Sequence, residues 1–221
     1  MSQRRMLVYV PCSKYHPDSL RSIRQAVGYP LVDTVFDYSG NAGGEHRFDK
    51  ITRKAESWRR IALAQGYDYF VTIEDDQIVP PNALQRLEMA RILHDADVVY
   101  GLSVWRHDPT VWTAALSITE NKIQMLTKVA PETREQYWDR VAELPGVHMG
   151  CTLMTRRALE AVTFQRRGPN CYDYYAAVDW QAQGIRQVTD FGLHVGHITD
   201  EGIAYPSLDP GNHRLVKEAI T

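Results

Sequence analysis

Short apolar runs alternate with amphipathic helical segments through the first hundred residues, and this alternation constrains the fold more than any other feature of the sequence. The apolar runs cover residues 6–10, 32–38, 69–73 and 97–104. The clearest helical segment repeats its apolar side chains at three- and four-residue spacing from Phe48 to Ala62. Continuous apolar runs are typical of strands buried on both faces, and strands that alternate with helices form βαβ units. The sequence therefore predicts an α/β fold with a mainly parallel central sheet.

The length and composition favour one domain. The chain has 221 residues, of which 44% are hydrophobic and 24% are charged, an ordinary globular composition. Its formal net charge is -2, so overall charge indicates no affinity for nucleic acid or an anionic membrane. We expect residues 1–104 to form a Rossmann-like half, residues 105–198 an irregular half, and residues 199–221 a tail. A glycine-rich turn is expected at 40–44.

The second half predicts fewer regular elements. Residues 111–118 and 122–126 are expected to form a hairpin, and a short helix is expected near Glu135. Strand character returns at 147–154, a short helix follows at 155–162, and another helix is expected at 174–183. Two further strands are expected at 186–191 and 193–198.

Cysteine use and hydropathy predict a soluble, cytoplasmic protein. The three cysteines, Cys12, Cys151 and Cys171, are odd in number and lack metal-ligand spacing, so no disulfide framework is expected. The apolar stretch 6–10 is too short for the core of a signal peptide. No run approaches the roughly 18 apolar residues of a membrane-spanning helix.

Three consecutive carboxylates, Glu74-Asp75-Asp76, follow the apolar strand at 69–73. Like charges at the end of a buried strand are unfavourable, and a bound divalent cation would remove that cost. In extended backbone Glu74 and Asp76 project to the same face, so both can reach one metal ion or a metal-bound diphosphate. Open α/β sheets bind ligands at the carboxyl ends of their strands, which favours this interpretation. The alternative is an acidic turn that caps the next helix.

The acidic segment, followed by Pro80-Pro81, resembles the Asp-x-Asp motif and proline-led helix of the GT-A glycosyltransferases, particularly the family-two-like group. Two positions depart from that pattern: Glu74 stands where the motif begins with Asp, and Tyr172-Asp173 replaces a Glu-Asp pair. The resemblance covers most of the chain. It implies a single GT-A domain that transfers a sugar from a nucleotide-sugar donor with the help of Mn²⁺ or Mg²⁺. Residues 1–104 would then be the nucleotide-sugar-binding half and residues 105–198 the acceptor and catalytic half.

The resemblance also implies roles for individual residues. Asp37, at the end of the second strand, matches the residue that reads the uracil edge, so a UDP-sugar is the expected donor. His197 follows Gly184 by thirteen residues and matches a late metal-binding histidine; a structural histidine is the alternative. The residues expected to bind the donor are Pro11, Ser13, Asp37, Lys54, Glu74 and Asp75, and those expected to hold the metal are Glu74, Asp76 and His197.

The acceptor side is less constrained. A general base must take the proton of the acceptor hydroxyl, and Asp173 fits by its position relative to Gly184, with Asp179 as its rival. An N-cap role for Asp173 is the alternative. Aromatic side chains stack on sugar rings but are also ordinary core residues. The residues expected to contact the acceptor are Trp105, Arg106, Gly150 and Trp180, while His148 and His194 are weaker candidates for the site.

Two other functions stay open at this stage. The pairs Arg156-Arg157 and Arg166-Arg167, together with Trp105-Arg106-His107, suit phosphate contact and base stacking, so hydroxylated bases of DNA are one possible class of acceptor. A non-catalytic nucleotide- or sugar-binding module is the alternative outside the enzyme class. Oligomeric state is not predicted.

Overall fold

Strands and helices alternate through the first half of the computed structural model, which describes residues 4–14, 16–28, 31–40, 45–209 and 214–216. Most of the glycine-rich turn, residues 41–44, and the tail residues 210–213 and 217–221 lie outside the described residues. The helices are α1 (Pro17–Ala26), α2 (Arg47–Ala64), α3 (Ala83–Leu93), α4 (Leu126–Val129), α5 (Arg134–Tyr137), α6 (Arg156–Ala161) and α7 (Tyr172–Ala182), with a 3₁₀ turn at Pro131–Thr133. The strands are β1 (Met6–Pro11), β2 (Val32–Asp37), β3 (Tyr69–Ile73), β4 (Gln77–Ile78), β5 (Val98–Leu102), β6 (Val104–Trp105), β7 (Asp108–Trp112), β8 (Ala115–Thr119), β9 (Lys122–Met125), β10 (Val141–Ala142), β11 (Cys151–Thr155), β12 (Gln187–His194), β13 (Gly196–Thr199), β14 (Gly202–Tyr205) and β15 (Arg214–Val216).

The central sheet has seven strands in the order β10-β12-β5-β11-β3-β1-β2. β1 is parallel to β2 and β3, and β12 is parallel to β5. β11 lies between β3 and β5 and is antiparallel to both, and β10 is antiparallel to β12 at the edge. All the other strands of the sheet run in one direction. The prediction of an α/β fold with a mainly parallel central sheet is confirmed.

The register brings the ends of the first three strands to one edge of the sheet. Pro11 pairs with Asp37, and Tyr9 pairs with Thr72, two residues before Glu74. The acidic segment therefore emerges beside the loop that follows β1, at the carboxyl edge where open sheets bind ligands.

Helices cover both faces of the sheet. Because side chains alternate along a strand, Val8 and Val10 of β1 pack with Ile23 of α1 and Leu87 of α3 on one face. Tyr9 points to the other face, where it belongs to a second apolar cluster with side chains of α2, α6 and α7. Burial on both faces explains why β1 and β3 are almost continuous apolar runs.

A second sheet in the order β15-β14-β13-β4 stands next to the carboxyl edge. β4 follows the acidic segment directly and is antiparallel to β13, with His197 opposite Gln77. This pairing brings a histidine that is distant in sequence to the end of β3. β14 and β15 extend the same sheet, so residues 202–205 and 214–216 of the expected tail form strands.

The irregular half differs from expectation in its strand boundaries, and the strand expected at 147–154 covers only Cys151–Thr155, as β11. The hairpin forms between β8 and β9, but the strand expected at 111–118 is split, because residues up to Trp112 pair with β6 instead. The strands expected at 186–191 and 193–198 are β12, which continues through Gly192 to His194 with an irregular register after Asp190, and β13, which begins at Gly196 in the second sheet. The short helix near Glu135 is present as α5. Among the residues described, no helix combines the length and apolar character needed to cross a bilayer.

Candidate functional site

The acidic segment forms a tight turn between β3 and β4. The Gln77 amide donates to the Glu74 carbonyl at 3.1 Å, and the Ile198 amide donates to the Asp76 carbonyl at 2.8 Å. The turn is thereby fixed to β13 on one side and to the central sheet on the other. This arrangement sets the directions of the three carboxylates.

Glu74, Asp76 and His197, the three predicted metal ligands, come together at this turn. Each offers one ligand atom, and these atoms all lie within 4.8 Å of one another. The Nε2 atom of His197 is 3.4 Å from Oδ2 of Asp76. Two carboxylates and an imidazole are suitable ligands for a divalent ion such as Mn²⁺ or Mg²⁺.

Hydrogen bonding orients His197 as a ligand. Its Nδ1 atom is 2.9 Å from the Val104 carbonyl oxygen, which can only accept, so Nδ1 donates. With Nδ1 bonded to this carbonyl, the Nε2 atom on the Asp76 side is the one that can coordinate a metal ion, the second-sphere arrangement common for metal-bound histidines. The other oxygen of Asp76, Oδ1, is buried and has no hydrogen-bond partner in the described part of the chain. The residues present therefore fit a divalent cation.

The two carboxylates are held in their ionised form. Burial by itself raises the pKa of Glu74, but the adjacent His148 outweighs it and the net pKa is lowered. The pKa of Asp76 is likewise lowered, because the hydrogen bond and charge of His197, with help from His148 and Arg106, exceed the effect of burial. Ionised carboxylates are the form that binds a metal ion.

Asp75 points away from these ligands and fixes the loop that follows β1. Its Oδ2 atom accepts hydrogen bonds from the backbone amides of Ser13 at 2.5 Å and Lys14 at 2.9 Å. Asp75 was predicted to bind the donor. It lines the cavity described next, but one of its carboxylate oxygens is hydrogen-bonded to the loop after β1.

A cavity of about 280 Å³ opens beside the acidic turn. It brings together predicted donor and metal residues with the predicted acceptor residue Arg106, whose Nη1 atom is 3.5 Å from Asp76. Asp37 and His197 do not line it. Its lining residues are Pro11, Cys12, Ser13, Lys14, His16, Arg47, Lys50, Ile51, Lys54, Glu74, Asp75, Asp76 and Arg106.

One face of α2 supplies much of the cationic wall of this cavity. Arg47, Lys50 and Lys54 are separated by three and four residues, which places them on the same side of a helix. Within the described ranges, Arg47 and Lys50 have no ion-pair partner. Neither is among the site residues predicted from the sequence, although their helical spacing is a signal for a shared cationic face. Arg53 lies off this face, bound to Glu45 at 2.8 Å.

Asp37 has many partners within the protein. Its carboxylate accepts from the Ser39 amide at 2.8 Å and the Trp58 indole at 3.1 Å, and the Lys54 ammonium lies 3.6 Å away. The Lys54 ammonium also donates to the Asp37 carbonyl at 2.6 Å, and the Lys54 side chain is only 4% exposed. These contacts join the end of β2 to α2. They explain a buried aspartate at this position without a nucleotide base.

His148, weighed above as a weak candidate, is in contact with the predicted ligands. Its Nε2 atom lies 2.9 Å from Oε2 of Glu74, and its ring centroid lies 5.7 Å from that of His197. Gly150 touches the same ring, because a Cβ atom at this position would overlap it. Gly150, predicted to contact the acceptor, thus gives His148 the space that it occupies.

The two candidate bases have different surroundings. Burial raises the pKa of Asp173 to about 6, with Glu74 adding to the rise and His148 opposing it, so Asp173 is electrostatically linked to the acidic turn. Its Oδ1 atom accepts from the Tyr174 amide at 2.8 Å, so it also stabilises the start of α7. Asp179 forms an ion pair with Arg167 at 2.9 Å, and no contact within the described ranges links it to Glu74, Asp76 or His197.

The predicted acceptor tryptophans differ in exposure. Trp180 has no exposed surface, and its indole donates to the Ala158 carbonyl at 2.8 Å, so the predicted acceptor contact is corrected to a core role. Trp105 is half-buried beside Arg106, with the Lys128 ammonium 4.9 Å from its ring centroid. Of the two, Trp105 alone has surface that a ligand can reach.

The arginine pairs that suggested a DNA acceptor are engaged within the chain. Each of the four guanidinium groups lies within ion-pair distance of a carboxylate, which reduces the positive charge offered to a phosphate backbone. The ion pairs are Arg156 with Glu160, Arg157 with Asp97, Arg166 with Asp49, and Arg167 with Asp179.

Comparisons with known proteins extend the description of the fold. No family model matches the sequence, and no curated protein sequence matches it. The crystal structure of A197 from STIV is similar over 98% of this chain and 98% of that chain, with a TM-score of 0.61 and 16% sequence identity. The structure of CMP:2-keto-3-deoxy-manno-octonic acid synthetase complexed with CTP covers 84% of this chain and 88% of that chain, with a TM-score of 0.47 and 11% identity. The first similarity shows a shared fold along almost the whole chain, and the second is too low to add to it.

Proposed function

We propose that this protein is a metal-dependent glycosyltransferase that uses a nucleotide-sugar donor. The observation that carries the proposal is the cluster of Glu74, Asp76 and His197 at the carboxyl edge of the sheet. It stands beside a cavity whose wall carries Arg47 and Lys50. A metal ion on these three ligands and the two cationic side chains would together complement the negative charge of a diphosphate.

Each part of the site has a role in this proposal. Glu74, Asp76 and His197 hold Mn²⁺ or Mg²⁺, and the bound ion supplies charge neutralisation to the departing nucleoside diphosphate. Arg47 and Lys50 contact the diphosphate oxygens from α2. Asp75 keeps the loop after β1 in place, so that Pro11 and Ser13 line the nucleotide side of the cavity.

Asp173 is the proposed general base. A carboxylate with a pKa of about 6 is ionised at neutral pH and is a stronger base than an exposed aspartate. It accepts the proton of the acceptor hydroxyl as the oxygen attacks the sugar. Asp179 is the weaker candidate, because Arg167 neutralises its charge.

The proposal also covers the identity of the donor nucleotide and the class of acceptor. The resemblance to GT-A enzymes puts a UDP-sugar first, although the partners of Asp37 leave its carboxylate less available to a base. A glycan or small-molecule hydroxyl is the proposed acceptor. Arg106, which lines the cavity, and the neighbouring Trp105 are proposed to contact it.

Donor turnover tests the proposal. The full chain is incubated with Mn²⁺ and a panel of nucleotide sugars, and release of the nucleoside diphosphate is followed with and without candidate acceptors. We expect slow hydrolysis of one donor, faster release with an acceptor, and loss of both in Asp76→Asn. Binding of a donor without any release in the wild-type protein would instead identify a non-catalytic binding module.

A further inference from the structure

We propose that His148 is a positioning residue that holds the Glu74 carboxylate in the orientation needed for metal binding. The inference rests on the proposed function, because it takes Glu74 to be a ligand. It concerns a residue that contacts a ligand without belonging to the group of three whose ligand atoms lie within 4.8 Å.

Hydrogen bonds on both ring nitrogens fix the tautomer of His148. The Gly150 amide donates to Nδ1 at 3.0 Å, so Nδ1 acts as the acceptor. The ring proton that faces Glu74 is on Nε2, which donates to Oε2 of Glu74 at 2.9 Å. The side chain is only 16% exposed, so water competes weakly for these bonds.

Gly150 completes the support of Glu74. Its carbonyl accepts from the Glu74 amide at 2.9 Å, while its own amide holds the His148 ring. The backbone and the carboxylate of Glu74 are thereby both fixed by the segment 148–150. The ring occupies the space that a Cβ atom of residue 150 would need, so this arrangement depends on glycine.

A glutamate ligand needs such support more than an aspartate would. Glu74 has one more rotatable bond than Asp, and its side chain is 31% exposed. Without the bond to His148, the carboxylate would lose rotational freedom on binding the metal, which lowers affinity. Loss of an outer partner of this kind typically weakens metal binding about 10- to 100-fold.

Direct titration of the full chain with Mn²⁺, followed by electron paramagnetic resonance, tests the inference. We expect His148→Phe to weaken Mn²⁺ binding about 10- to 100-fold. His148→Gln retains an amide N–H donor and should recover most of the affinity, whereas Gly150→Ala displaces the ring and should weaken binding. His194→Phe is the matched control, because His194 packs against Trp138 and bonds to the Phe191 carbonyl. If His148→Phe does not fold, His148→Ala, which also lacks a side-chain donor, replaces it.

Spin-echo modulation from a coordinated imidazole provides a second readout. We expect this signal to persist in the His148 variants and to disappear in His197→Gln. Equal Mn²⁺ affinity in the wild type and His148→Phe (or His148→Ala) would overturn the positioning role. Loss of the imidazole signal in a His148 variant would make His148 a ligand instead. A wild-type protein that binds no Mn²⁺ would overturn the proposed function and this inference together.

Discussion

At the scale of single residues, the carboxyl group of Asp173 sets the expected pH dependence of transfer. Burial favours the protonated acid and raises its pKa to about 6. Only the ionised form can accept a proton, so kcat/KM should rise with pH through about 6 and level off above it. A pH profile between 5 and 9 measures this midpoint. Asp173→Asn should lose nearly all activity, and a variant that keeps both the rate and the midpoint would rule out Asp173 as the base.

The sequence predicts the site best where local pattern and chemistry agree. Glu74 and Asp76 follow a buried strand, and their alternating directions can be read from the sequence. The contacts of Asp37 and His148 could not be predicted in this way. The partners of Asp37 come from α2 and the following loop, and His148 reaches Glu74 only because β11 lies beside β3. Such contacts depend on the order of strands in the sheet, which no local pattern encodes.

At the scale of secondary-structure elements, α2 should contribute affinity for phosphate through its cavity-facing side. Lys50→Gln removes one unpaired cation from that face and should weaken binding of a nucleoside diphosphate about tenfold, or ~1.4 kcal/mol. Isothermal titration calorimetry measures the change. Arg60→Gln on the same helix is the control, because Arg60 is bound to Glu56 at 2.8 Å and is largely exposed. Equal weakening by both variants would show a general charge effect instead of a phosphate contact.

The buried face of α7 should contribute stability and not acceptor affinity. Trp180 has no exposed surface and packs near Phe164, so Trp180→Ala should lower the free energy of unfolding by about 3–5 kcal/mol. Urea denaturation measures this loss. Trp180→Phe, the milder variant, should leave the acceptor KM unchanged, and a selective rise in that KM would restore the predicted acceptor role.

β1, β3 and β5 were predictable because they are buried along almost their whole length, and α1 and α2 were predictable because they carry a periodic apolar stripe. β4 was not, since it has only two residues and forms by pairing with β13. The antiparallel insertion of β11 between β3 and β5 is likewise a property of the whole sheet. Long-range pairing of this kind brings residues 148 and 197 to the acidic turn.

At the scale of the whole molecule, two sheets and a helix meet at one functional edge. The central sheet supplies Glu74 and Asp76, the second sheet supplies His197, and α2 supplies Arg47 and Lys50. A ligand bound across these elements should stabilise the folded state as a unit. At a hundred times the dissociation constant, it would add about 2.7 kcal/mol to the free energy of unfolding. Differential scanning calorimetry should then show a higher Tm with Mn²⁺ and a nucleoside diphosphate together than with either alone.

The most direct test of the central claim is calorimetric titration of the full chain with nucleoside diphosphates in the presence and absence of Mn²⁺. The account predicts that at least one, with uridine diphosphate tested first, binds about tenfold or more tightly with Mn²⁺, and that Asp76→Asn abolishes this difference while its far-UV circular dichroism remains that of the wild type. If no nucleoside diphosphate binds more tightly with the metal, or if folded Asp76→Asn keeps the full metal effect, Glu74, Asp76 and His197 are not the metal centre of a nucleotide-sugar site.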